Sequence, residues 1–281
     1  IVAKWLKIPY IVHESDAVPG LANRMLMKRA MIVAQGVPFE MPEKDDTSEQ
    51  AMEIRKARKN WRWVGIPVAP EFKPVPVSRQ KQLKKTFGFD PEKPLVVITG
   101  GSQGAAHLNE TTREILPELL KFTSVGLVAG REKYEEMIDL KKYEDWEKAK
   151  LQSNFRLWSF CSTMNELLGA ADLVISRAGA TTIAELAGLG KAVILVPFEK
   201  LPGGHQVKNA DRLAAREAVA VVYDERMVKD PELLLELTRK LIRSPKVREN
   251  LAIHLHEMAN PKAAGDLARM VLKVGAANEG R

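Results

Sequence analysis

The chain has 281 residues, of which 45% are hydrophobic and 28% are charged, and it carries a formal net charge of +7. This length predicts about two domains, or one large α/β domain. No apolar run approaches the roughly 20 residues that a membrane-spanning helix needs, and a single cysteine excludes an internal disulfide framework.

The first part of the chain, up to about residue 64, predicts three strands and one helix. The strands are predicted at Ile8–His13, Met31–Ala34 and Trp61–Val64, and the helix at Gly20–Ala30. So short a segment can hardly bury a core of its own. We therefore expect it to be the rear portion of a doubly wound domain that lacks its front. A proline-rich linker from Gly65 to Pro76 marks the domain boundary.

Positive charge is concentrated between Arg55 and Lys85, where ten basic residues accompany one acid, Glu71. Such a stretch is typical of a solvated face, of nucleic-acid binding, or of docking on an anionic membrane surface. Because no basic-aromatic motif of a nucleic-acid module accompanies it, no nucleic-acid partner is expected. A solvated face is favoured, and a membrane surface stays open.

Beyond the linker, short apolar runs alternate regularly with helical patterns. This alternation predicts an α/β domain with a parallel sheet that is covered by helices on both faces. Strands are predicted at 95–99, 124–129, 154–158, 172–176, 192–196 and 219–222. Helices are predicted at 105–121, 132–150, 163–169, 181–190, 205–217, 231–243, 245–258 and 262–274.

A glycine-rich turn follows the first of these strands, with the sequence GGSQGAA at 100–106. Glycines let a backbone approach a ligand closely, and the free N–H groups of a helix start face an anion. The turn has neither the dinucleotide fingerprint nor the Walker spacing. It is therefore interpreted either as a phosphate-binding turn, with Ser102 as an added donor, or as a tight turn without a ligand.

Two further polar motifs follow strand ends. Glu185 lies early in the helix after the strand 172–176, where a carboxylate can accept ribose hydroxyls; the alternative is a capping box with Thr182. Gln206 and Asn209 share a helical face after the strand 192–196. Their amides suit sugar hydroxyls, or they form an exposed polar helix start. All three motifs lie at the carboxyl edge of the sheet, where ligands bind in open α/β folds.

Other chemistries have little support in the sequence. No histidine has a partner at metal-ligand spacing, so neither a metal nor another cofactor is expected. Cys161 is interpreted as a small buried residue rather than as a nucleophile.

With these motifs in place, the sequence resembles the MurG family of glycosyltransferases. The resemblance lies in IPYIVHE (8–14) with PGLAN (19–23), GGSQGA (100–105) with LN (108–109), ADLVISRAGATTIAE (171–185), and VPF (196–198) leading to HQVKNA (205–210). It implies the GT-B fold, with two doubly wound Rossmann-like domains of which the N-terminal one is incomplete. The resemblance also implies a domain organisation. Residues 1–65 face the acceptor and the membrane, and residues 66–258 bind the nucleotide sugar. A helix in 259–281 packs back on the first domain.

The resemblance also assigns substrate-binding roles. The diphosphate is assigned to Gly101, Ser102, Gln103 and Gly104, and the ribose to Glu185. The backbone at Cys161 flanks the uracil. The diphosphate and sugar are lined by Ala180, Thr181, Thr182, Ile183 and Ala184, and the sugar hydroxyls are read by Gln206 and Asn209. No catalytic residue is named, because the base is expected in a preceding N-terminal portion.

Three departures from the family pattern stand out. The N-terminal glycine-rich loop GGTGGH is absent, Asp16 stands where the family has asparagine, and Ala69 stands where the family has a donor-site arginine. Loss of that charge could cost roughly 1.5–3 kcal/mol unless another cation, such as Arg177, replaces it.

The implied activity is inverting transfer of N-acetylglucosamine from UDP-N-acetylglucosamine (UDP-GlcNAc) to lipid I, giving lipid II for peptidoglycan. The expected partners are this donor, lipid I, an anionic membrane surface and other cell-wall synthesis proteins. The protein is expected to be a peripheral protein at the cytoplasmic face of the cell membrane. This chain alone is expected to be a weak or inactive catalyst. Alternatives are another GT-B enzyme, such as a UDP-GlcNAc 2-epimerase or a different lipid glycosyltransferase, and a non-catalytic nucleotide-sugar-binding or scaffold protein.

Overall fold

The structure is a computed structural model that describes residues 2–6, 8–38, 52, 56, 58–100, 105–135 and 154–279. The chain divides into two compact units, residues 1–68 with 258–281, and residues 69–257. Both units contain parallel strands and helices, so the predicted α/β class is confirmed.

The first unit is built on a three-stranded parallel sheet with the order β1-β2-β3. Its elements are α1 (Val2–Trp5), β1 (Ile11–Glu14), α2 (Leu21–Met27), β2 (Ile32–Gln35), β3 (Trp61–Trp63) and α11 (Ala263–Glu279). A small core forms where Val12 and Val33 pack with Met27 and Ala30. The three strands and the helix predicted for this segment are present, each with shifted ends, and the short α1 was not predicted.

The second unit contains a six-stranded sheet, all parallel, in the order β6-β5-β4-β7-β8-β9. The strands are β4 (Leu95–Thr99), β5 (Ser124–Val128), β6 (Phe155–Trp158), β7 (Leu173–Ser176), β8 (Val193–Leu195) and β9 (Ala220–Val221). Every residue of β4 and β5 is buried, which explains why these strands are continuous apolar runs rather than alternating patterns.

Helices cover both faces of this sheet. They are α3 (Val77–Thr86), α4 (Ala106–Leu120), α5 (Met164–Ala170), α6 (Ala180–Leu189), α7 (His205–Ala214), α8 (Asp224–Lys229), α9 (Glu232–Arg243) and α10 (Pro245–His256). On one face α3 packs on α5, α5 on α6, and α6 on α10; on the other, α4 packs on α8 and α9. Of the predicted helix at 132–150, residues 136–150 lie outside the described residues. Within the described ranges, no helix has the length and apolarity that crossing a bilayer requires.

The basic stretch between residues 55 and 85 is divided between the two units. Three of its charges in the second unit pair with acids. Lys84 meets Asp172 at 2.6 Å in a buried ion pair, Arg79 meets Glu166 at 3.1 Å, and Lys81 meets Glu92 at 2.8 Å. These pairs join α3 to α5, to the turn before β4 and to the residue before β7, so part of the positive charge serves the fold of the second unit.

Candidate functional site

The order of the strands in the second unit defines a crevice at the carboxyl edge of the sheet. From β4 the chain moves outward to β5 and β6, then returns to β7 on the other side of β4. The connections that follow β4 and β7 therefore diverge onto opposite faces. In open α/β sheets ligands bind at this topological switch point, and the predicted glycine turn and the Glu185 motif are the two connections that flank it.

The first of these connections runs from Thr99 to α4. Gly101, Ser102, Gln103 and Gly104 lie outside the described residues, so their diphosphate role stays a prediction. Ala105 is extended (φ −149°) and precedes a helix of 15 residues, and among the described residues no side chain caps its first turn. The first N–H groups of α4 are therefore left as donors at the edge of the crevice.

The second connection leads from β7 into α6. Gly179 is the N-cap of α6, and no side chain of the described residues caps this helix start. The capping box of Thr182 with Glu185 is therefore wrong, because the helix begins at Ala180 and both residues lie inside it. The first turn of α6 is half-buried or exposed at its successive positions Ala180, Thr181, Thr182, Ile183 and Ala184.

The Glu185 carboxyl is half-buried one turn into α6. Burial raises the pKa of this carboxyl above its ordinary value. Among the described residues no side chain or backbone group forms a hydrogen bond or an ion pair with it. A carboxylate that is partly removed from water without a partner is costly, and bound ligand hydroxyls would relieve that cost.

The amide side chains of helix α7 contact the segments that follow β8 and β7. The Gln206 Oε1 accepts a hydrogen bond of 3.0 Å from the Phe198 N–H, which leaves the Gln206 NH₂ group for other partners. The Asn209 Nδ2 donates to the Ala178 carbonyl at 3.2 Å, and Asn209 is only 3% exposed. Asn209 thus holds the β7–α6 turn in place, and its direct contact with a sugar stays a prediction.

A buried charged cluster that the sequence did not reveal lies at the same edge. Asp224, 1% exposed, accepts from the Arg177 Nη1 at 2.5 Å and contacts the His107 Nδ1 at 2.6 Å. Arg177 also donates to the Val196 carbonyl at 3.1 Å. The Phe198 ring lies 5.4 Å from the Arg177 guanidinium and 6.0 Å from the His107 ring. The cluster joins segments that follow β4, β7, β8 and β9.

Cys161 follows the carboxyl end of β6. It is half-buried, so its interpretation as a small buried residue is wrong, and its Sγ lies 3.8 Å from the Thr163 Oγ1. The neighbouring Phe160 is exposed, with the Arg131 guanidinium 4.9 Å from its ring. The connection after β6 is therefore accessible at the sheet edge, and its contact with a uracil stays a prediction.

Asp16 belongs to the first unit, in the loop after β1. Its N–H donates to the Glu14 Oε1 at 3.0 Å. The other oxygen of this buried carboxylate accepts from the Gly20 N–H at 3.1 Å and the Asn23 Nδ2 at 2.9 Å. Glu14 thus fixes the loop that presents Asp16, whose role in binding substrate stays a prediction.

Known proteins share the sequence pattern and the fold of this chain. The model of the glycosyltransferase family 28 C-terminal domain matches residues 95–266. A UDP-N-acetylglucosamine–N-acetylmuramyl-(pentapeptide) pyrophosphoryl-undecaprenol N-acetylglucosamine transferase from Listeria welshimeri is 33% identical over 270 residues, which is 96% of this chain and 68% of the relative. The Moorella thermoacetica protein of the same name is 32% identical over 268 residues, 95% of this chain and 68% of the relative.

Solved structures show the same fold. The crystal structure of Acinetobacter baumannii MurG matches with a TM-score of 0.72 and 25% identity, covering 96% of this chain and 68% of that one. A UDP-GlcNAc 2-epimerase from Neisseria meningitidis, bound to UDP-GlcNAc, matches with a TM-score of 0.65 but only 14% identity, which shows the shared fold alone. The chain has the GT-B architecture and belongs to the MurG family within glycosyltransferase family 28.

Proposed function

We propose that this protein, in its full length, transfers N-acetylglucosamine from UDP-GlcNAc to lipid I, the undecaprenyl-diphosphate-linked N-acetylmuramyl-pentapeptide, and so forms lipid II. This is the transfer that the names of the curated relatives describe for those proteins. The observation that carries the proposal is Glu185, a half-buried carboxylate at the switch point with a raised pKa and no partner among the described residues.

In this proposal Glu185 binds the donor through its ribose. A carboxylate accepts hydrogen bonds from both hydroxyls of a ribose, as the acid of dinucleotide-binding folds does. Hydrogen bonds to a charged group are each worth about 1.5–3 kcal/mol. The backbone at Cys161, at the end of β6, flanks the uracil in the same arrangement.

The diphosphate lies against the N-terminus of α4 and the turn 100–105, with the first turn of α6 beside it. Transfer proceeds by direct displacement at the anomeric carbon with inversion, so negative charge develops on the departing UDP. Backbone N–H groups that are fixed before the reaction stabilise such a charge. The start of this 15-residue helix, which no side chain of the described residues caps, supplies donors of this kind.

The sugar lies toward α7, where the Gln206 NH₂ group, which has no hydrogen-bond partner among the described residues, donates to a hydroxyl of N-acetylglucosamine. The Gln206 Oε1 is already held by the Phe198 N–H at 3.0 Å. The amide is therefore oriented before the sugar arrives, and little side-chain entropy is lost on binding.

The acceptor is a lipid, so the reaction takes place at a membrane surface. We propose that the protein works as a peripheral protein at the cytoplasmic face of the cell membrane. Positive charge outside the ion pairs of α3 supports attraction to anionic lipid, which is worth about 1 kcal/mol for each basic residue near the surface.

Calorimetric titration with UDP-GlcNAc tests the donor site. The unchanged chain is expected to bind, and Glu185→Ala to bind at least about tenfold more weakly, because it loses hydrogen bonds to a charged acceptor. Glu249→Ala, which changes an exposed glutamate on α10, is the matched control and should bind like the unchanged chain. Equal affinities of the unchanged chain and Glu185→Ala would reject the site.

The transfer itself is tested with radiolabelled UDP-GlcNAc and lipid I in detergent micelles, with lipid II as the expected product. Conversion of UDP-GlcNAc to its 2-epimer without transfer would contradict the proposed reaction. The catalytic base is not assigned to a residue of this chain. Donor binding is therefore measured separately from transfer, because binding does not depend on that base.

A further inference from the structure

His107 occupies a position in the candidate site that none of the matched motifs explains. It lies in the first turn of α4, two residues after the N-cap Ala105, and its side chain is 39% exposed. The turn that precedes this helix is the one to which the proposed function assigns the diphosphate. His107 is therefore a polar, accessible side chain near the turn at which the proposed function places the donor diphosphate.

The orientation of the His107 ring is fixed by Asp224. The Nδ1 atom lies 2.6 Å from the Oδ2 of this fully buried carboxylate. An ionised carboxylate only accepts hydrogen bonds, so Nδ1 carries the proton and donates it. The other ring nitrogen, Nε2, has no hydrogen-bond partner among the described residues, and it donates when the ring is protonated.

Asp224 also binds Arg177, through its other carboxylate oxygen, Oδ1. The Arg177 side chain is 10% exposed, and the charges of this buried pair offset each other. Arg177 is also held by the Val196 carbonyl at 3.1 Å and by the Phe198 ring. Its guanidinium is thus committed inside the protein, which argues against Arg177 as the substitute for the arginine that Ala69 replaces.

We propose that His107, oriented by Asp224, is a binding residue whose Nε2 donates a charge-assisted hydrogen bond to the diphosphate of the nucleotide sugar. Asp224 is then a positioning residue that acts through His107. This inference rests on the proposed function, because it takes the diphosphate to lie at the start of α4. It supplies a cation close to the leaving group, where a fixed positive charge stabilises the departing UDP.

The test compares UDP with uridine on matched variants. His107→Gln removes the cation, and His107→Lys restores one on a flexible side chain. His107→Gln is expected to bind UDP about 10- to 100-fold more weakly, and His107→Lys to recover much of that loss. Uridine, measured by ligand-observed NMR, should bind all three proteins alike because it carries no phosphate.

Asp224→Asn is the second variant. If Asp224 acts through His107, it weakens UDP binding in the unchanged chain but adds little in the His107→Gln background, so the two effects are not additive. A spectroscopic readout accompanies this cycle, since the Nε2 resonance of His107 in ¹⁵N-histidine-labelled protein should move with UDP and stay in place with uridine. Circular dichroism confirms that each variant is folded.

The outcomes separate the two proposals. If the unchanged chain binds neither UDP nor UDP-GlcNAc, the proposed function fails and this inference fails with it. If the unchanged chain binds UDP and Glu185→Ala does not, but His107→Gln binds UDP as tightly as the unchanged chain, only this inference is overturned. Equal losses of UDP and uridine in His107→Gln would also overturn it, because they indicate a general structural effect.

Discussion

Lys191 provides a prediction about how the stability of the second unit depends on pH. It follows Gly190, the left-handed residue (φ 62°) that ends α6, and it is 8% exposed. Its Nζ donates to the Gly169 carbonyl at 2.7 Å and to the Ala171 carbonyl at 3.0 Å. Burial lowers the pKa of Lys191 from 10.5 to about 8, with a smaller opposing contribution from Asp172.

The sign follows from the proton count of the two states. Between about pH 8 and pH 10.5 the folded chain has lost a proton from Lys191 that the unfolded chain still holds. Stability rises with pH wherever the unfolded state binds more protons, so the free energy of unfolding rises through this interval. One pKa unit corresponds to about 1.4 kcal/mol, so the full rise is about 3 kcal/mol. About 2 kcal/mol of it falls between about pH 7 and about pH 9.5.

Urea unfolding followed by circular dichroism across this pH range measures the effect. Lys191→Met replaces the titrating amine by an apolar side chain of similar length. The free energy of unfolding of this variant should therefore not show the rise of about 2 kcal/mol. Lys246→Met, at an exposed position of α10, should keep that rise. Groups that do not interact with Lys191 titrate equally in all three proteins and cancel in the comparison. Parallel pH profiles for the unchanged chain and Lys191→Met would refute the argument that burial depresses this pKa.

Two further predictions concern donor binding and packing. Compared with Glu185→Gln, the unchanged chain should lose UDP affinity as the pH falls, because protonated Glu185 loses its acceptor charge. Since burial raises the pKa of this carboxyl, the loss should begin at a higher pH than for an ordinary glutamate. Calorimetry on Glu185→Gln gives the background, and identical pH profiles for the two proteins would contradict this role. Gly188→Ala should destabilise the second unit by about 1–3 kcal/mol, because a Cβ there would lie 2.5 Å from the Phe72 carbonyl oxygen. Gly275→Ala is the control, since its Cβ would meet nothing within 4 Å, and equal urea midpoints for the two variants would count against the clash.

The sequence predicted the central sheet well because buried parallel strands are continuous apolar runs. The strand Leu95–Thr99 has the predicted ends, and the other strands of the second unit are one or two residues shorter than predicted. Helix α3 was missed because its buried positions, Leu83 and Lys84, include a lysine. That lysine is held by Asp172, 88 positions away in the sequence, so no local apolar period signals the helix.

The place of the candidate site in the fold was predictable where it consists of turns that follow strands. The connections after β4, β7 and β8 follow directly from the alternation of strands and helices, and ligands bind where such connections diverge. The start of α6 was placed one residue late, because Ala180 and Thr181 have no distinctive pattern. That error made the capping box of Thr182 and Glu185 plausible, although Gly179 is the N-cap.

The Asp224 cluster could not be predicted, because its contacts join residues that are far apart in the chain. His107 and Asp224 are 117 positions apart, and Arg177 and Asp224 are 47 apart. From the sequence, each of these residues taken singly can be interpreted as an exposed polar residue or as part of a turn. Only the strand order, with β9 at the edge beyond β8, brings the carboxyl ends of β4, β7, β8 and β9 into one row. A buried carboxylate that holds Arg177 inside the protein and also contacts the partly exposed His107 follows from that topology, which is why the proposed donor site must be tested at His107 and Asp224 as well as at the residues of the motifs.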